Sequence, residues 1–252
     1  MEYFIKAYHT DIGIKRQTNQ DSILLQEVQR GGTDVLLAVL CDGMGGMKKG
    51  ELASATVVRA FGEWFRQQYV YDSEIWNIGK IQQQWGQIIS DCNRRMISYE
   101  AKLGTTLTAI MIQSDGQYFI AHVGDTRAYH IFDKIEQLTE DQTFVAREVK
   151  RGNLTEEQAL TDSRRNVLLQ CIGVNEYVEP QFLTGELPQS HAILLCSDGF
   201  RHEVSETEIL TRLRPDQFTV NDQIKQNLIY LVELNKQRNE TDNISAVYMK
   251  RL

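Results

Sequence analysis

Apolar positions recur along this chain with two different periods. Residues 22 to 29 and 35 to 41 read as strands, and the "RGGTD" between them suits a hairpin turn. After Gly50 the period changes: Ala53, Val57, Phe61, Trp64 and Phe65 recur at three- and four-residue spacing, which predicts an amphipathic helix. A second helix is predicted from about 74 to 102, with Ile75, Ile78, Ile81, Trp85, Ile88, Cys92, Met96 and Tyr99 along one face. Core packing is the default meaning of such a stripe. Strands return at 105 to 113 and 117 to 123, and the "SDGQ" between them reads as a two-residue hairpin turn. A short strand, 127 to 132, follows Gly124-Asp125. Short helices are expected at 142 to 151 and 155 to 161, the second opened by the capping-box spacing of Thr155 and Gln158.

Residues 192 to 197, "AILLCS", form a wholly apolar strand. Ser205 with Glu208 can cap a helix from about 206, another helix covers about 221 to 236, and the chain closes on a strand, "ISAVYMK". This order is not a βαβα alternation. Hairpins predominate, so the pattern favours an α+β fold of antiparallel sheets with helices packed outside them.

Composition narrows the picture only a little. The 252 residues are 42% hydrophobic and 24% charged, enough for one large core, and no linker or repeat divides them. A single domain, 1 to 252, is expected. The start "MEYFIKAYHTDIG" has no leader pattern, and no apolar run approaches the roughly 18 residues of a membrane span. A cytoplasmic protein with no membrane partner is therefore expected. Cys41, Cys92, Cys171 and Cys196 show no metal or redox spacing and read as reduced thiols, with Cys41 and Cys196 buried in apolar runs. The net charge of −7 and the lack of a basic stripe argue against nucleic acid.

Candidate chemistry lies with aspartates. Asp-Gly occurs at 42, 115 and 198. Asp115-Gly116 fits an ordinary turn between alternating strands. Asp42 and Asp198 instead end buried strands, where a carboxylate is costly unless paired or bound to a cation. Asp125 ends "YFIAHVG", and Asp242 stands just before the final strand. If those ends converge, a divalent cation resolves the repulsion. The donors would all be oxygen, which selects magnesium or manganese. On pattern alone, a shared cation site and four separate turns are equal alternatives.

The glycines in "CDGMGGMKKGELAS" admit a rival reading as a phosphate-binding loop, and it fails on spacing. A P-loop needs Lys then Ser or Thr after its last Gly, yet Gly50 is followed by Glu51 and Leu52. A dinucleotide fingerprint begun at Gly43 meets Lys48 at its sixth position. The glycines are better read as letting the backbone turn sharply beside Asp42 and expose the Gly43 carbonyl.

With these residues in view, the chain resembles the metal-dependent Ser/Thr protein phosphatases of type 2C in their compact bacterial form. Eight segments carry the resemblance in order: "IKRQTNQDS", "CDGMGGMKKGELAS", "GTTLTAIMI", "AHVGDTRAY", "LTEDQTFV", "RRNVLLQCIG", "LLCSDGF" and "TDNISAV". The resemblance implies a four-layer αββα sandwich, two antiparallel sheets flanked by helices, with the site in a cleft at one end. It implies that Asp42 bridges two Mn2+ or Mg2+ ions, with the Gly43 carbonyl on one and Asp198 and Asp242 on the other. Asp125, with Asp198, matches the pair that binds a third ion. Asp21 and Asn243 would act from outside the ligands, ordering water and positioning Asp242, and Arg16 would grip the substrate phosphate. The implied reaction is in-line attack of a metal-bridging hydroxide on phosphoserine or phosphothreonine in proteins. The implied partners are phosphoproteins and a Ser/Thr kinase that the enzyme opposes, with the enzyme itself a monomer. Residues 142 to 165 correspond to a variable flap beside the cleft. Gln20 and Met44 depart from the animal members' Glu and His, which leaves the leaving-group acid unassigned.

Two rivals remain. A haloacid-dehalogenase-type phosphatase needs D-x-D-G-T, and Leu40 stands where the first Asp belongs. A catalytically weak, phosphoprotein-binding relative should have lost a carboxylate, and all four are present. Of the five histidines, His9, His122, His130, His191 and His202, none is assigned to chemistry, and Thr105 and Thr106 read as plain strand residues.

Overall fold

The computed structural model describes residues 3–44, 49–72, 74, 76–99 and 102–252. The chain runs β1 (Phe4–Asp11), β2 (Ser22–Arg30), β3 (Thr33–Cys41), α1 (Gly50–Gln67), α2 (Ile78–Ile97), β4 (Leu107–Gln113), β5 (Gln117–Val123), β6 (Arg127–Ile131), β7 (Ile135–Gln137), α3 (Phe144–Lys150), α4 (Glu156–Thr161), β8 (Gln181–Glu186), β9 (Ala192–Cys196), α5 (Asp198–Arg201), α6 (Glu206–Leu213), α7 (Asn221–Gln237) and β10 (Ile244–Arg251). One five-stranded sheet has the order β1-β10-β9-β6-β7 and the other β2-β3-β4-β5-β8. Every pairing is antiparallel.

The alternation of side chains along a strand builds the layers. In β3, Val35, Leu37, Val39 and Cys41 face α1 and α2, packing with Phe61, Trp64, Trp85 and Ile89. The intervening Leu36, Ala38 and Leu40 face the other sheet and meet Val247 and Met249 of β10. On its outer side β10 turns Ile244, Ala246 and Tyr248 toward Leu213 of α6 and Leu228 and Leu231 of α7. The result is the αββα sandwich. It also explains why β3 reads as one continuous apolar run: both of its faces are covered. Trp85 anchors the α1–α2 layer, with Phe61, Trp64 and Phe119 at centroid distances of 5.1, 5.7 and 5.1 Å. Burying each such ring contributes about 1.5–3 kcal/mol.

The two predicted capping boxes, at Thr155 and Ser205, are both formed. The β2–β3 turn holds two residues, Gly31 and Gly32, both at positive φ (58° and 83°), as its sequence suggested. All four cysteines are free and buried.

Other expectations are corrected. The β4–β5 loop has three residues, Ser114 to Gly116, with Gly116 at φ 100°. The Asp115 side chain accepts the Gln117 N–H, so this Asx turn takes one residue more than the two-residue form. Helix α2 spans Ile78–Ile97 rather than 74 to 102, because the Asn77 side chain caps it by accepting the Lys80 N–H. Tyr99 thus falls beyond the helix and is exposed, while Ile75 lies outside the described residues. Strands β1, β7 and β8 had no prediction: each lies at the edge of its sheet, β7 and β8 contain no buried residue, and β1 buries Phe4, Ile5 and Ala7 without a regular alternation.

One buried polar group ties the second sheet to the segment after β7. His122 on β5 is fully buried, accepts the Thr108 hydroxyl at Nδ1 (3.0 Å) and donates from Nε2 to the Glu140 carbonyl (3.1 Å). Burial pushes its pKa down from 6.5 to about 4. The folded protein therefore holds His122 neutral while the unfolded chain binds a proton below pH 6.5. That stability is fully present above 6.5 and is lost as pH falls toward 4, by up to about 3 kcal/mol. Urea unfolding at pH 7 and pH 5 should show a steeper loss for the wild type than for His122→Gln, and equal slopes would refute the assignment.

Candidate active site at one end of the sandwich

Antiparallel register brings distant carboxylates to a single rim. In the first sheet, the start of β10 pairs with the ends of β1 and β9 (Ile244 opposite Asp11, Ala246 opposite Cys196), and Cys196 also lies opposite Arg127 at the start of β6. In the second, Cys41 at the end of β3 lies opposite Ser22, Leu40 opposite Thr108, and Leu107 opposite Val123. Asp42, Asp198, Asp242, Asp125 and Asp21 each stand within two residues of one of these strand ends. Their convergence is visible in their electrostatics. Burial raises the Asp42 pKa well above the carboxylate range, and the charges of Asp21, Asp198, Asp125 and Asp242 add to it.

The backbone around Asp42 is held on both sides. Its N–H donates to the Thr106 hydroxyl (2.9 Å), and its carbonyl accepts the Thr105 hydroxyl and the Thr106 N–H (both 2.9 Å). Thr105 and Thr106 are thus site residues that the sequence reading passed over. A Cβ on Gly43 would lie 2.4 Å from the Gly50 carbonyl oxygen and 2.6 Å from that of Gln20. The glycine at 43 thus allows close backbone approach beside Asp42. Residues 45 to 48 of this loop lie outside the described residues. Across the rim, a Cβ on Gly199 would lie 2.3 Å from the Asn243 carbonyl oxygen, so glycine lets the segments bearing Asp198 and Asp242 touch.

Each remaining predicted residue has a definite place. Arg16 forks onto Asp242 through Nε (3.0 Å) and Nη2 (2.6 Å), and that bond raises its pKa further. The Asn243 side chain accepts the Gln20 N–H and donates to the carbonyls of Ile12 and Thr18, so it staples the Arg16 loop, while its backbone N–H donates to Asp242 Oδ1. Asp21 is buried with neither carboxylate oxygen hydrogen-bonded at normal distance. Burial pushes its pKa up to about 7 against the pull of the nearby Ser245 and Ser197 hydroxyls, with the charges of Asp198 and Asp242 contributing. Asp125 is also pushed up to about 7, by burial and then by Asp198, and Arg201 opposes this.

A further ring of residues escaped the sequence reading. Arg127 forks onto Asp141 (2.8 and 2.8 Å) and not onto neighbouring Asp125. Arg201 donates to the Asp125 carbonyl (3.2 Å), and Gln142 bonds both N–H and carbonyl of Gly124. His202 lies between Glu240 (3.1 Å) and Asp198 (3.6 Å). Burial pulls its pKa down, but the Glu240 bond and the Asp198 charge outweigh this and raise it. The four-residue step from Asp198 to His202 at a helix start was the available signal.

The donor chemistry fits a hard cation: carboxylates and a backbone carbonyl, with no sulfur or imidazole required. The two partnerless oxygens of Asp21 mark an unmet demand for a positive or proton-donating neighbour. Among the described residues no three His, Cys, Asp or Glu side chains are grouped tightly enough to enclose one ion, and Arg16 holds both oxygens of Asp242.

The family model described as Protein phosphatase 2C matches residues 13–237. The chain belongs to the protein phosphatase 2C family. The expected enzyme class, a protein-serine/threonine phosphatase, stands with that membership. The serine/threonine phosphatase stp of Listeria monocytogenes is 30% identical over 252 residues, covering 97% of this chain and 94% of the relative. The structure of the S. agalactiae serine/threonine phosphatase superposes with a TM-score of 0.85 at 28% identity, covering 99% of this chain and all of that one. The catalytic domain of the serine/threonine protein phosphatase PstP, solved with two manganese ions, gives a TM-score of 0.77 at 28% identity with 98% of each chain covered. The four-layer fold of this 2C phosphatase is thus that of its structural neighbours.

The clamp on Asp42 is open to direct test. Thr106→Val leaves the Asp42 N–H without an acceptor and should cost about 1–3 kcal/mol in urea unfolding, whereas Thr106→Ser should stay within about 1 kcal/mol of wild type. Equal stability of the valine variant and the wild type would exclude the clamp.

Proposed function

We propose that this 2C phosphatase hydrolyses phosphoserine and phosphothreonine in proteins with the help of Mn2+ or Mg2+, two or three ions per chain. The observation that carries the reading is the placement of Asp42, Asp21, Asp125, Asp198 and Asp242 at one rim, each within two residues of a paired strand end. In this reading Asp42, the Gly43 carbonyl, Asp125, Asp198 and Asp242 hold the ions. A set spaced more openly than a one-ion cage suits cations that keep part of their water shell. When bound, the ions supply an activated water and neutralise charge on the phosphoryl group.

The chain's own residues bind, orient and move protons. Arg16 spends Nε and Nη2 on Asp242, which leaves its Nη1 edge for a phosphoryl oxygen. The side chain is 35% exposed, so substrate can reach it. Asp21, whose oxygens lie near the Ser245 and Ser197 hydroxyls, orders water in this reading. Met44 carries no proton to give, and burial pushes the adjacent Cys171 thiol up to about 12. The Cys171 thiol is buried away from solvent, so in this reading water supplies the proton to the leaving alkoxide.

We read the whole chain as one catalytic domain, with residues 142 to 165 as a flap that influences substrate choice. Its Phe144 ring lies under the guanidinium groups of Arg164 and Arg147, at 4.3 and 5.1 Å. Phosphoproteins, together with a Ser/Thr kinase that phosphorylates them, are the proposed partners, for a cytoplasmic monomer. No helix among the described residues is long and apolar enough to cross a membrane.

Hydrolysis of a phosphothreonine peptide across a manganese titration tests the reading. Asp42→Asn or Asp198→Asn should lower kcat/KM by at least about a hundredfold with folding intact, and full manganese-dependent activity in both would refute it. Arg16→Ala should raise KM for the peptide by about 10- to 100-fold without weakening metal affinity, since its loss frees Asp242. An unchanged KM would remove Arg16 from phosphate binding.

A further inference from the structure

Glu240 is a buried carboxylate with no part in the reaction as described. Its side chain is 6% exposed, and burying a charge this deeply is unfavourable unless its oxygens are occupied. They are. Oε1 accepts the backbone N–H groups of Thr241 (2.6 Å) and Asp242 (2.8 Å), and Oε2 accepts His202 Nδ1 (3.1 Å). The Glu240 N–H in turn donates to the Asn235 carbonyl at the end of α7 (3.0 Å).

His202 joins this bracket to the other strand end. It follows Asp198 by one helical turn, and its Nε2 stands 3.6 Å from Asp198 Oδ2. That distance is beyond a hydrogen bond but within reach of a small shift. Asn235 reinforces the link by donating to the Phe200 carbonyl (2.9 Å). Asp198 and Asp242 come from different strand ends, and the Glu240–His202 pair spans the gap between them. Glu240 thus holds the Asp242 backbone and His202 stands beside the Asp198 carboxylate, and partners set behind metal ligands typically change metal affinity by about 10- to 100-fold.

We propose that Glu240 and His202 are positioning residues that fix the stance of Asp242 and Asp198 relative to one another and thereby set the affinity of the rim for divalent cations. The inference rests on the metal reading above. It assigns work to two residues outside the carboxylate set.

The test is calorimetric titration of the full chain with Mn2+, with melting temperatures recorded in parallel. Glu240→Ala and His202→Ala should each weaken Mn2+ binding by about tenfold or more, and Glu240→Gln, which keeps an acceptor for the two N–H groups, should fall between them and the wild type. At saturating Mn2+, kcat for para-nitrophenyl phosphate should return to within about threefold of wild type, a split that a merely structural role would not produce. If Glu240→Ala does not fold, His202→Ala and Glu240→Gln decide. Wild-type Mn2+ affinity in folded His202→Ala and Glu240→Gln, alongside lost binding in Asp198→Asn, would overturn the proposal while leaving the metal reading intact. Wild-type affinity in Asp198→Asn would overturn the metal reading itself, and this inference with it.

Discussion

The repulsion among buried carboxylates at one rim is the constraint to which the rest of the structure answers. Five aspartates stand where strands end, in surroundings that raise the pKa of Asp42, Asp21 and Asp125. Such an arrangement is unfavourable in itself, and an apolar sandwich would be more stable without it. The protein offsets part of the charge locally. Arg16 forks onto Asp242, Arg201 approaches Asp125, and hydroxyls rather than carboxylates hold the Asp42 backbone. What remains uncompensated is a demand for positive charge, which is the property a cation-dependent hydrolase needs at its centre.

The rim rests on the packed layers beneath it. Three apolar layers, α1–α2 on one sheet, sheet on sheet, and α6–α7 on the other, fix the strands from which the aspartates emerge. Backbone contacts then set the last few tenths of an ångström. Gly43 and Gly199 allow main chains to meet where any side chain would separate them. The short links between strand and aspartate leave little freedom, so register in the sheets becomes geometry in the site. Membership of the 2C family agrees with this reading of the scaffold, since the neighbours share the whole sandwich.

Around the aspartates lies a supporting ring whose members are mostly polar residues at unremarkable sequence positions. Thr105 and Thr106 lie in the segment "GTTLTAIMI" but read there as plain strand residues, yet they clamp Asp42. Arg127 could have paired with the adjacent Asp125 and instead reaches fourteen residues along the chain to Asp141. Glu240 and His202 meet across 38 residues. These contacts depend on which strand ends lie side by side. Asn243 shows the same point in reverse: the resemblance implied that it positions Asp242, and its side chain spends its bonds on the Arg16 loop while its backbone N–H donates to Asp242.

Local information in the sequence was enough for the interior of this protein. Period 2 and period 3.6 located β2 to β6, β9, β10 and six of the helices, because the spacing of apolar positions within one element is a local signal, readable even in β2 and α4, in which no residue is buried. The capping boxes at Thr155 and Ser205 were legible for the same reason, each being a contact within four residues. The exposed or half-covered strands β1, β7 and β8 left no such record. The motifs singled out the aspartates as candidates, since carboxylates at the ends of apolar strands are unfavourable unless they are paired or bound. Whether they met was decided only by the tertiary structure. Convergence is a property of strand order and register, β1-β10-β9-β6-β7 against β2-β3-β4-β5-β8, and hydrophobic period carries no information about either.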